Sequence, residues 1–204
     1  MQVKICGRTN IQDAQAAQDY GADMAGFVFD KNSPRHITPQ TATEMRGLTI
    51  PRIALSVNAD DGSLQTMIDA LHPQFLQLHG TETPERVKEI TDKFGIKIIK
   101  ALGIETKTDL QKAAQYNVAY LLLDAKSGES PAGGQGTPFN WNILTDWQTH
   151  KKWILAGGLT PQNIQAAIKQ SGTQSVDVSS GIESTTGKKD LQFMQDFITL
   201  AKNP

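Results

Sequence analysis

The chain holds one cysteine, Cys6, which follows a short β-like run and precedes a glycine in the stretch VKICGRTN. A cysteine in this setting is either a working group of a site or a small buried hydrophobe, the commoner role of a free cysteine. Thiols are mostly protonated at neutral pH, so a role as a base requires nearby positive charge. Lys4 and the helix start predicted at Thr9 or Asn10 are candidate sources of that charge.

A second ionisable group ends an apolar run later in the chain. Asp124 closes the stretch YLLLD, after three leucines. A buried carboxylate is costly unless it is paired or hydrogen-bonded, so packing alone does not explain an aspartate here. Either it caps the turn that follows, or it lies in a partly apolar site, where burial favours the protonated form that acts as a general acid.

Two stretches rich in glycine and serine predict an anion site. LAGGLTPQN places Gly157 and Gly158 before a helix start, and VDVSSGIES places Ser180 and Gly181 after the last apolar run. Small residues allow backbone N–H groups to approach phosphate oxygens. One such turn alone is as readily an ordinary tight turn, but the two together predict phosphate binding and a phosphorylated small-molecule substrate.

One arginine is a candidate for a second anion. Arg35 follows Pro34 in KNSPRH, and its fork of donors suits a substrate carboxylate, although a solvated surface arginine is an equal alternative. His36 and His79 are more often loop and packing residues, and we assign neither a proton-transfer role. By strand alternation with Gln77, His79 is a candidate for lining the substrate pocket.

These candidates follow a regular series of elements. Short runs rich in apolar and β-branched residues recur, and most are separated by segments with helical apolar spacing. The eight runs are 3–6, 24–29, 52–57, 75–79, 97–102, 120–124, 153–157 and 175–180. Alternating buried strands and helices predict a parallel sheet, and eight units close a barrel. We predict an α/β fold, a (β/α)8 TIM barrel in which 1–204 is a single catalytic domain; an open doubly wound sheet would leave two runs unexplained.

Helix boundaries are predicted from capping signals. Starts are expected at Thr9 or Asn10, Thr38-Pro39, Asp60 or Asp61, Thr83-Pro84 and Thr160-Pro161, and ends at Gly21 and Gly95. The stretch 125–139 is rich in glycine, serine and proline, which predicts a mobile loop at the catalytic end of the barrel.

Active sites of such barrels lie at the carboxyl ends of the strands. Alternation along the first strand turns Lys4 and Cys6 into the barrel, and Asp124 faces inward on the sixth. We expect Lys4 to be neutralised by a carboxylate such as Asp177, which is also a candidate substrate contact. Gly7 leaves room for a ligand beside Cys6.

Composition limits the remaining possibilities. The 204 residues carry a formal net charge of -1, so no overall field favours nucleic acid or an anionic membrane. No apolar run is long enough to cross a bilayer, and the first residues do not read as a signal peptide, so we expect a cytoplasmic protein. The four histidines and one cysteine lack metal-site spacing, so we expect no metal, and no obligate protein partner is evident.

The motifs KICG, GFVF with SPR, QLHG, GGQGTPFNW, LAGGLTPQN and VDVSSGIE with GKKD occur in this order between residues 4 and 190. Together they resemble the phosphoribosylanthranilate isomerase family over nearly the whole chain. The resemblance implies a (β/α)8 barrel and a step of tryptophan biosynthesis, the Amadori rearrangement of N-(5-phosphoribosyl)anthranilate to 1-(2-carboxyphenylamino)-1-deoxyribulose 5-phosphate. That reaction requires neither a cofactor nor a metal.

The resemblance also implies roles for individual residues. Carried over by position, the general base matches Cys6, the general acid Asp124 and the arginine that binds the anthranilate carboxylate Arg35. Backbone groups around Gly157-Gly158 and Ser180-Gly181 would hold the phosphate.

Two alternatives stay open. The related sugar-phosphate isomerase of histidine biosynthesis resembles this fold and reaction but works with two aspartates, and Cys6 stands where one of them would be. A non-catalytic barrel that binds a phosphorylated ligand is the second alternative.

Overall fold

The computed structural model describes residues 1–125, 140–145 and 147–204. Its central sheet is a closed barrel in which each strand pairs with the next along the chain and the first pairs with the eighth. All the strand pairings in the barrel are parallel. The strands are β1 (Gln2–Ile5), β2 (Met24–Val28), β3 (Arg52–Ser56), β4 (Phe75–Leu78), β5 (Lys97–Ile104), β6 (Tyr120–Ala125), β7 (Trp153–Leu155) and β8 (Ser175–Val178). The predicted barrel and its eight strands are therefore confirmed.

Helices alternate with most of these strands. In the described part of the chain they are α1 (Ile11–Asp19), α2 (Pro39–Glu44), α3 (Asp61–Leu71), α4 (Pro84–Phe94), α5 (Lys107–Ala113), α6 (Ile164–Ser171) and α7 (Leu191–Lys202). The side chains of Asn10, Thr38, Asp60 and Thr83 accept hydrogen bonds from the first turns of α1 to α4, as the capping signals predict. Gly95 ends α4 in the left-handed conformation.

The start predicted at Thr160-Pro161 is wrong by about one turn. α6 begins at Ile164, because Asn163 closes a separate turn before it. The Asn163 side chain accepts a hydrogen bond from Thr160 N at 2.8 Å and donates one to Gly158 O at 2.8 Å. Asn163 thus fixes the loop after β7 as well as the entry to the helix. The predicted mobility of the loop 125–139 concerns 126–139, which lie outside the described residues.

Apolar side chains fill two layers. Val3 and Ile5 of β1 are fully buried between the barrel and the helices. Leu122 of β6 belongs instead to a smaller cluster inside the barrel, with Ile53 and Ile99. The alternation predicted for the first and sixth strands is therefore confirmed.

A short hairpin follows the barrel and was not predicted. β9 (Glu183–Thr185) and β10 (Lys188–Lys189) pair antiparallel after a 3-10 turn, Ser180–Ile182. The hairpin lies beyond the carboxyl end of β8. It is thus at the mouth of the barrel, which is the end where the strands have their carboxyl ends and where the predicted site residues lie. No helix of the described ranges is long and apolar enough to cross a membrane.

Candidate active site

Cys6 comes directly after β1, where the chain leaves the barrel wall. Its side chain is buried, and its amide donates a hydrogen bond to Val178 O at 2.9 Å. Gly26 of β2 faces it so closely that a Cβ at that glycine would lie 2.8 Å from Cys6 Sγ and 3.2 Å from Lys4 Nζ. Because Gly26 has no side chain, the Cys6 thiol and the Lys4 ammonium both have room against it inside the barrel.

Lys4 is completely buried and pairs with a carboxylate of the neighbouring strand. Its Nζ lies 2.9 Å from Asp177 Oδ1, and the two residues are aligned in the β1–β8 register. Burial lowers the pKa of Lys4, but the charge of Asp177 and then that of Cys6 raise it by more, so the net shift is upward. Lys4 thus stays charged beside the thiol, and the structural partner predicted for it is confirmed.

Asp124 lies at the carboxyl end of β6, on the opposite side of the barrel from β1. Its Oδ2 is 3.4 Å from His79 Nε2, and both side chains are 18% exposed, so water and ligands reach them. Gln77 Nε2 lies 2.9 Å from His79 Nδ1, an arrangement in which the amide donates and the ring proton sits on Nε2, facing Asp124. Burial and the charge of Asp124 raise the pKa of Asp177 by more than Lys4 lowers it, so Asp124 and Asp177 interact across the mouth.

Arg35 is held by the hairpin. Its Nε and Nη2 donate to Glu183 Oε1 and Oε2, both at 2.7 Å, and Lys189 Nζ donates to Glu183 Oε1 at 2.7 Å. Burial raises the pKa of Glu183, but hydrogen bonds from Arg35 and Lys189 outweigh it and bring the pKa to about 2. Arg35 is therefore fixed at the mouth by an ionised, nearly buried carboxylate rather than solvated at the surface.

The two glycine-rich loops meet at the carboxyl ends of β7 and β8. Gly157 and Gly158 both have positive φ, of 84° and 66°, which favours glycine at each position. A Cβ at Gly157 would lie 2.8 Å from Asp124 Oδ1, and one at Gly181 would overlap the carbonyl oxygen of Leu159. The loops are thus in contact with each other and with Asp124.

Gly7 separates Cys6 from the rest of the mouth. Its φ is 71°, and a Cβ there would lie 2.5 Å from Arg35 Cδ and 2.8 Å from Ser179 Oγ. Only a glycine allows Arg35 to approach the turn after β1 this closely. The predicted ligand-facing role of Gly7 remains a prediction.

Three charged residues at this end of the barrel, Glu183, Lys189 and Arg8, have no role predicted from the sequence. Glu183 and Lys189 lie in the motifs VDVSSGIE and GKKD, which were recognised without a role for these side chains. Arg8 lies two residues after Cys6 and is completely buried. A signal for Glu183 and Lys189 was present, since a glutamate and two lysines flank the turn-favouring residues STTG; no signal marked Arg8 as buried.

Over the ranges described here, no cluster of three or more histidine, cysteine, aspartate or glutamate side chains could hold a metal ion.

The mouth brings together a carboxyl group, a thiol, an arginine and two glycine-rich loops. This set is suited to proton transfer on a ligand with two anionic ends.

Comparison with known proteins identifies close relatives of the chain. The family model described as N-(5'-phosphoribosyl)anthranilate (PRA) isomerase matches residues 3–200. A Beijerinckia indica protein named N-(5'-phosphoribosyl)anthranilate isomerase is 45% identical over 209 aligned residues, covering 99% of this chain and 94% of the relative. The protein of the same name from Paracoccus denitrificans is 42% identical, with 99% and 97% covered.

Solved structures agree with these relatives. The crystal structure of phosphoribosyl anthranilate isomerase from Thermotoga maritima superposes with a TM-score of 0.90 at 34% identity, and all of both chains is covered. A phosphoribosyl anthranilate isomerase in complex with reduced 1-(o-carboxyphenylamino)-1-deoxyribulose 5-phosphate superposes with a TM-score of 0.88 at 33% identity, again over both whole chains.

Proposed function

The chain belongs to the N-(5'-phosphoribosyl)anthranilate isomerase family, and from that premise we propose that it converts N-(5'-phosphoribosyl)anthranilate into 1-(2-carboxyphenylamino)-1-deoxyribulose 5-phosphate by general acid–base catalysis. One observation carries the proposal: Cys6 beside the Lys4 ammonium and Asp124 beside the glycine-rich loops lie on opposite sides of one barrel mouth. The phosphorylated ligand named for a related structure supports the same substrate class.

Binding at both ends of the substrate would place the sugar between the two ionisable groups. The phosphate would lie against backbone groups of Gly157-Gly158 and Ser180-Gly181. Glu183 takes Nε and Nη2 of Arg35, so the Nη1 edge of the guanidinium would receive the anthranilate carboxylate. Holding both anions fixes the reacting carbon and oxygen relative to the acid and the base.

The proposed chemistry has two proton transfers. Protonated Asp124 donates to the ribose ring oxygen, the bond from that oxygen to C1′ breaks, and the nitrogen lone pair forms the C=N bond of a Schiff base. The Cys6 thiolate then takes the proton from C2′, the C–H electrons form the C1′–C2′ double bond, and the C=N electron pair returns to nitrogen. The resulting enolamine tautomerises to the ketone as the C2′ hydroxyl proton is replaced by one at C1′. Asp124 has lost one proton and Cys6 has gained one, and exchange with water restores both groups. Each proton transfer by a positioned side chain typically raises the reaction rate by about 10²- to 10⁴-fold.

The electrostatics of the mouth favour these roles. The Lys4 ammonium lies beside the thiol, and nearby positive charge favours a cysteine that works as a thiolate. His79 Nε2 faces Asp124 and provides a polar neighbour for the carboxylate left after proton donation. We assign His79 to the pocket wall and not to proton transfer.

A fluorescence assay on freshly prepared N-(5'-phosphoribosyl)anthranilate tests the proposal. The purified chain should consume this fluorescent substrate at a rate proportional to enzyme concentration. Binding without consumption would instead indicate a non-catalytic barrel. Turnover of the corresponding histidine-pathway substrate alone would indicate the related isomerase.

A further inference from the structure

Arg8 is a buried cation that no described residue neutralises. The side chain is completely buried, and Nε, Nη1 and Nη2 all lack a hydrogen-bond partner among the residues that the structure describes. Its guanidinium carbon lies 5.3 Å from the centre of the Phe27 ring. Burial lowers the pKa of Arg8 to about 10, so the group is still charged at neutral pH. An unpaired buried charge is costly, and packing alone does not account for it.

Arg8 and Cys6 lie on opposite faces of the barrel wall. Gly26 of β2 faces inward against Cys6 Sγ, whereas the next residue, Phe27, faces outward into the layer between strands and helices. Because Arg8 packs on Phe27, its guanidinium lies on the helix side of the wall, against the strand residue next to Gly26. Both side chains are buried, and a low dielectric strengthens the attraction between a cation and a thiolate.

The other cations around Cys6 already have carboxylate partners. Lys4 pairs with Asp177, and Glu183 binds both Arg35 and Lys189. The pair Lys4–Asp177 and the cluster of Arg35, Glu183 and Lys189 thus contain three cations and two carboxylates, and each of these cations contacts a carboxylate.

The acids around Arg8 do not form a pair with it. The groups whose charges offset its burial are, in decreasing order, Cys6, Asp177 and Asp13. Asp177 is bound to Lys4, and Asp13 accepts a hydrogen bond from Asn10 Nδ2 at 2.9 Å. Neither carboxylate is thus bound to Arg8, and the remaining ionisable group that acts on it is the thiol of Cys6.

We infer that Arg8 is a positioning residue for the thiol: its unpaired guanidinium, buried behind the β1–β2 wall, stabilises negative charge on Cys6. The inference deepens the proposed function and rests on it, because Cys6 is the base proposed there. The attraction acts in both directions, since the thiolate offsets part of the cost of burying Arg8.

The test measures the ionisation of Cys6 without substrate. Cys6 is the chain's single cysteine, so one isotope-labelled β-carbon reports its titration by NMR. In Arg8→Leu, which removes the charge and keeps an apolar side chain, the midpoint should rise by about one pH unit. In Arg8→Lys, which keeps the charge, it should stay close to that of the unaltered chain.

Arg52→Leu is the matched control. Arg52 begins β3 at the opposite end of the barrel, where it donates hydrogen bonds to the carbonyls of Leu48, Leu71 and His72. The variant loses the same formal charge, and its thiol should titrate as in the unaltered chain. An unchanged midpoint in Arg8→Leu, or an equal shift in Arg52→Leu, would overturn the inference.

Two further measurements separate the alternatives. Should Arg8→Leu fail to fold, Arg8→Met repeats the titration with an unbranched side chain closer in shape to arginine. The acidic limb of the pH profile of kcat/KM should move with the thiol midpoint, whereas a merely structural Arg8 would lower Tm and leave both unmoved. Because the titration needs no substrate, its failure is distinct from failure to consume N-(5'-phosphoribosyl)anthranilate.

Discussion

Cys6 lies where an apolar side chain would also fit, beside Val28 and Leu55, so its chemistry comes from its charged neighbours and not from the shape of its pocket. We expect Cys6→Ala to lower kcat by about 10²- to 10⁴-fold and to change KM little, because the proposed role of the thiol is proton transfer and not the binding of either anion. Steady-state kinetics measure both constants. Near-normal turnover by a folded Cys6→Ala variant would remove Cys6 from the mechanism.

Asp124 and His79 are neighbours with different expected roles. Asp124→Asn should lower kcat over the same range of about 10²- to 10⁴-fold, because an amide cannot donate the proton as a carboxylic acid does. His79→Asn should cost less, since it changes only the neighbour of the acid. Comparable losses in the two variants would assign proton transfer to the pair and not to Asp124 alone.

Arg35 is expected to bind the substrate and not to react with it. Arg35→Met should raise KM by about 10- to 100-fold, the effect of losing a charge-assisted hydrogen bond, with a smaller change in kcat. Arg35→Lys keeps the charge without the planar fork and should recover part of the loss. A large fall in kcat with KM unchanged would contradict a role in binding.

At the scale of elements, the β9–β10 hairpin determines where Arg35 can lie. The folded state holds the pKa of Glu183 at about 2, below its ordinary value of 4.5. The ionised carboxylate therefore stabilises the fold fully above pH 4.5. This contribution to stability is lost as the pH falls from 4.5 toward 2. Glu183→Gln should therefore lower the free energy of unfolding at pH 7 by about 2 kcal/mol, less than the full shift because water screens part of the site. Urea denaturation at several pH values measures the difference, which should vanish near pH 2.

Glu89→Gln provides the comparison for that experiment. Glu89 pairs with Arg86 at 3.4 Å, but its side chain is 67% exposed, so the change should stay within about 0.5 kcal/mol. Glu183→Gln should also raise KM, since Arg35 loses its anchor. Unaltered stability and KM in Glu183→Gln would show that the hairpin does not position Arg35.

The elements themselves were largely predictable, because strand alternation and helix caps are local properties of the sequence. The two-residue period of a strand was enough to predict that Lys4 and Cys6 face inward. Residue type placed helix starts at Thr9 or Asn10, Thr38, Asp60 or Asp61 and Thr83, and the structure selects Asn10 and Asp60 from the two pairs. Long-range partners were harder to find. Arg35 and Glu183 are 148 positions apart, and no periodicity joins them. The burial of Arg8 depends on the packing of Phe27, which a single stretch of sequence does not reveal.

At the scale of the whole molecule, we propose that the chain is one cooperative domain. Residues of β1, β6, β8 and α7 share one apolar cluster, so neither end of the chain can unfold and leave the other packed. Calorimetry should give a single transition whose calorimetric and van't Hoff enthalpies agree. Two resolved transitions would instead divide the barrel into independently stable parts.

The ion pair between Lys4 and Asp177 joins positions 173 residues apart. During synthesis, β1 has left the ribosome long before β8 exists, so until then the nascent sheet has two unpaired edges. Loop-closure entropy must be paid over almost the whole chain before this contact forms. The lysine beside the thiol gains its carboxylate only at that final step, so the local charge balance at Cys6 is completed only when the last strand docks.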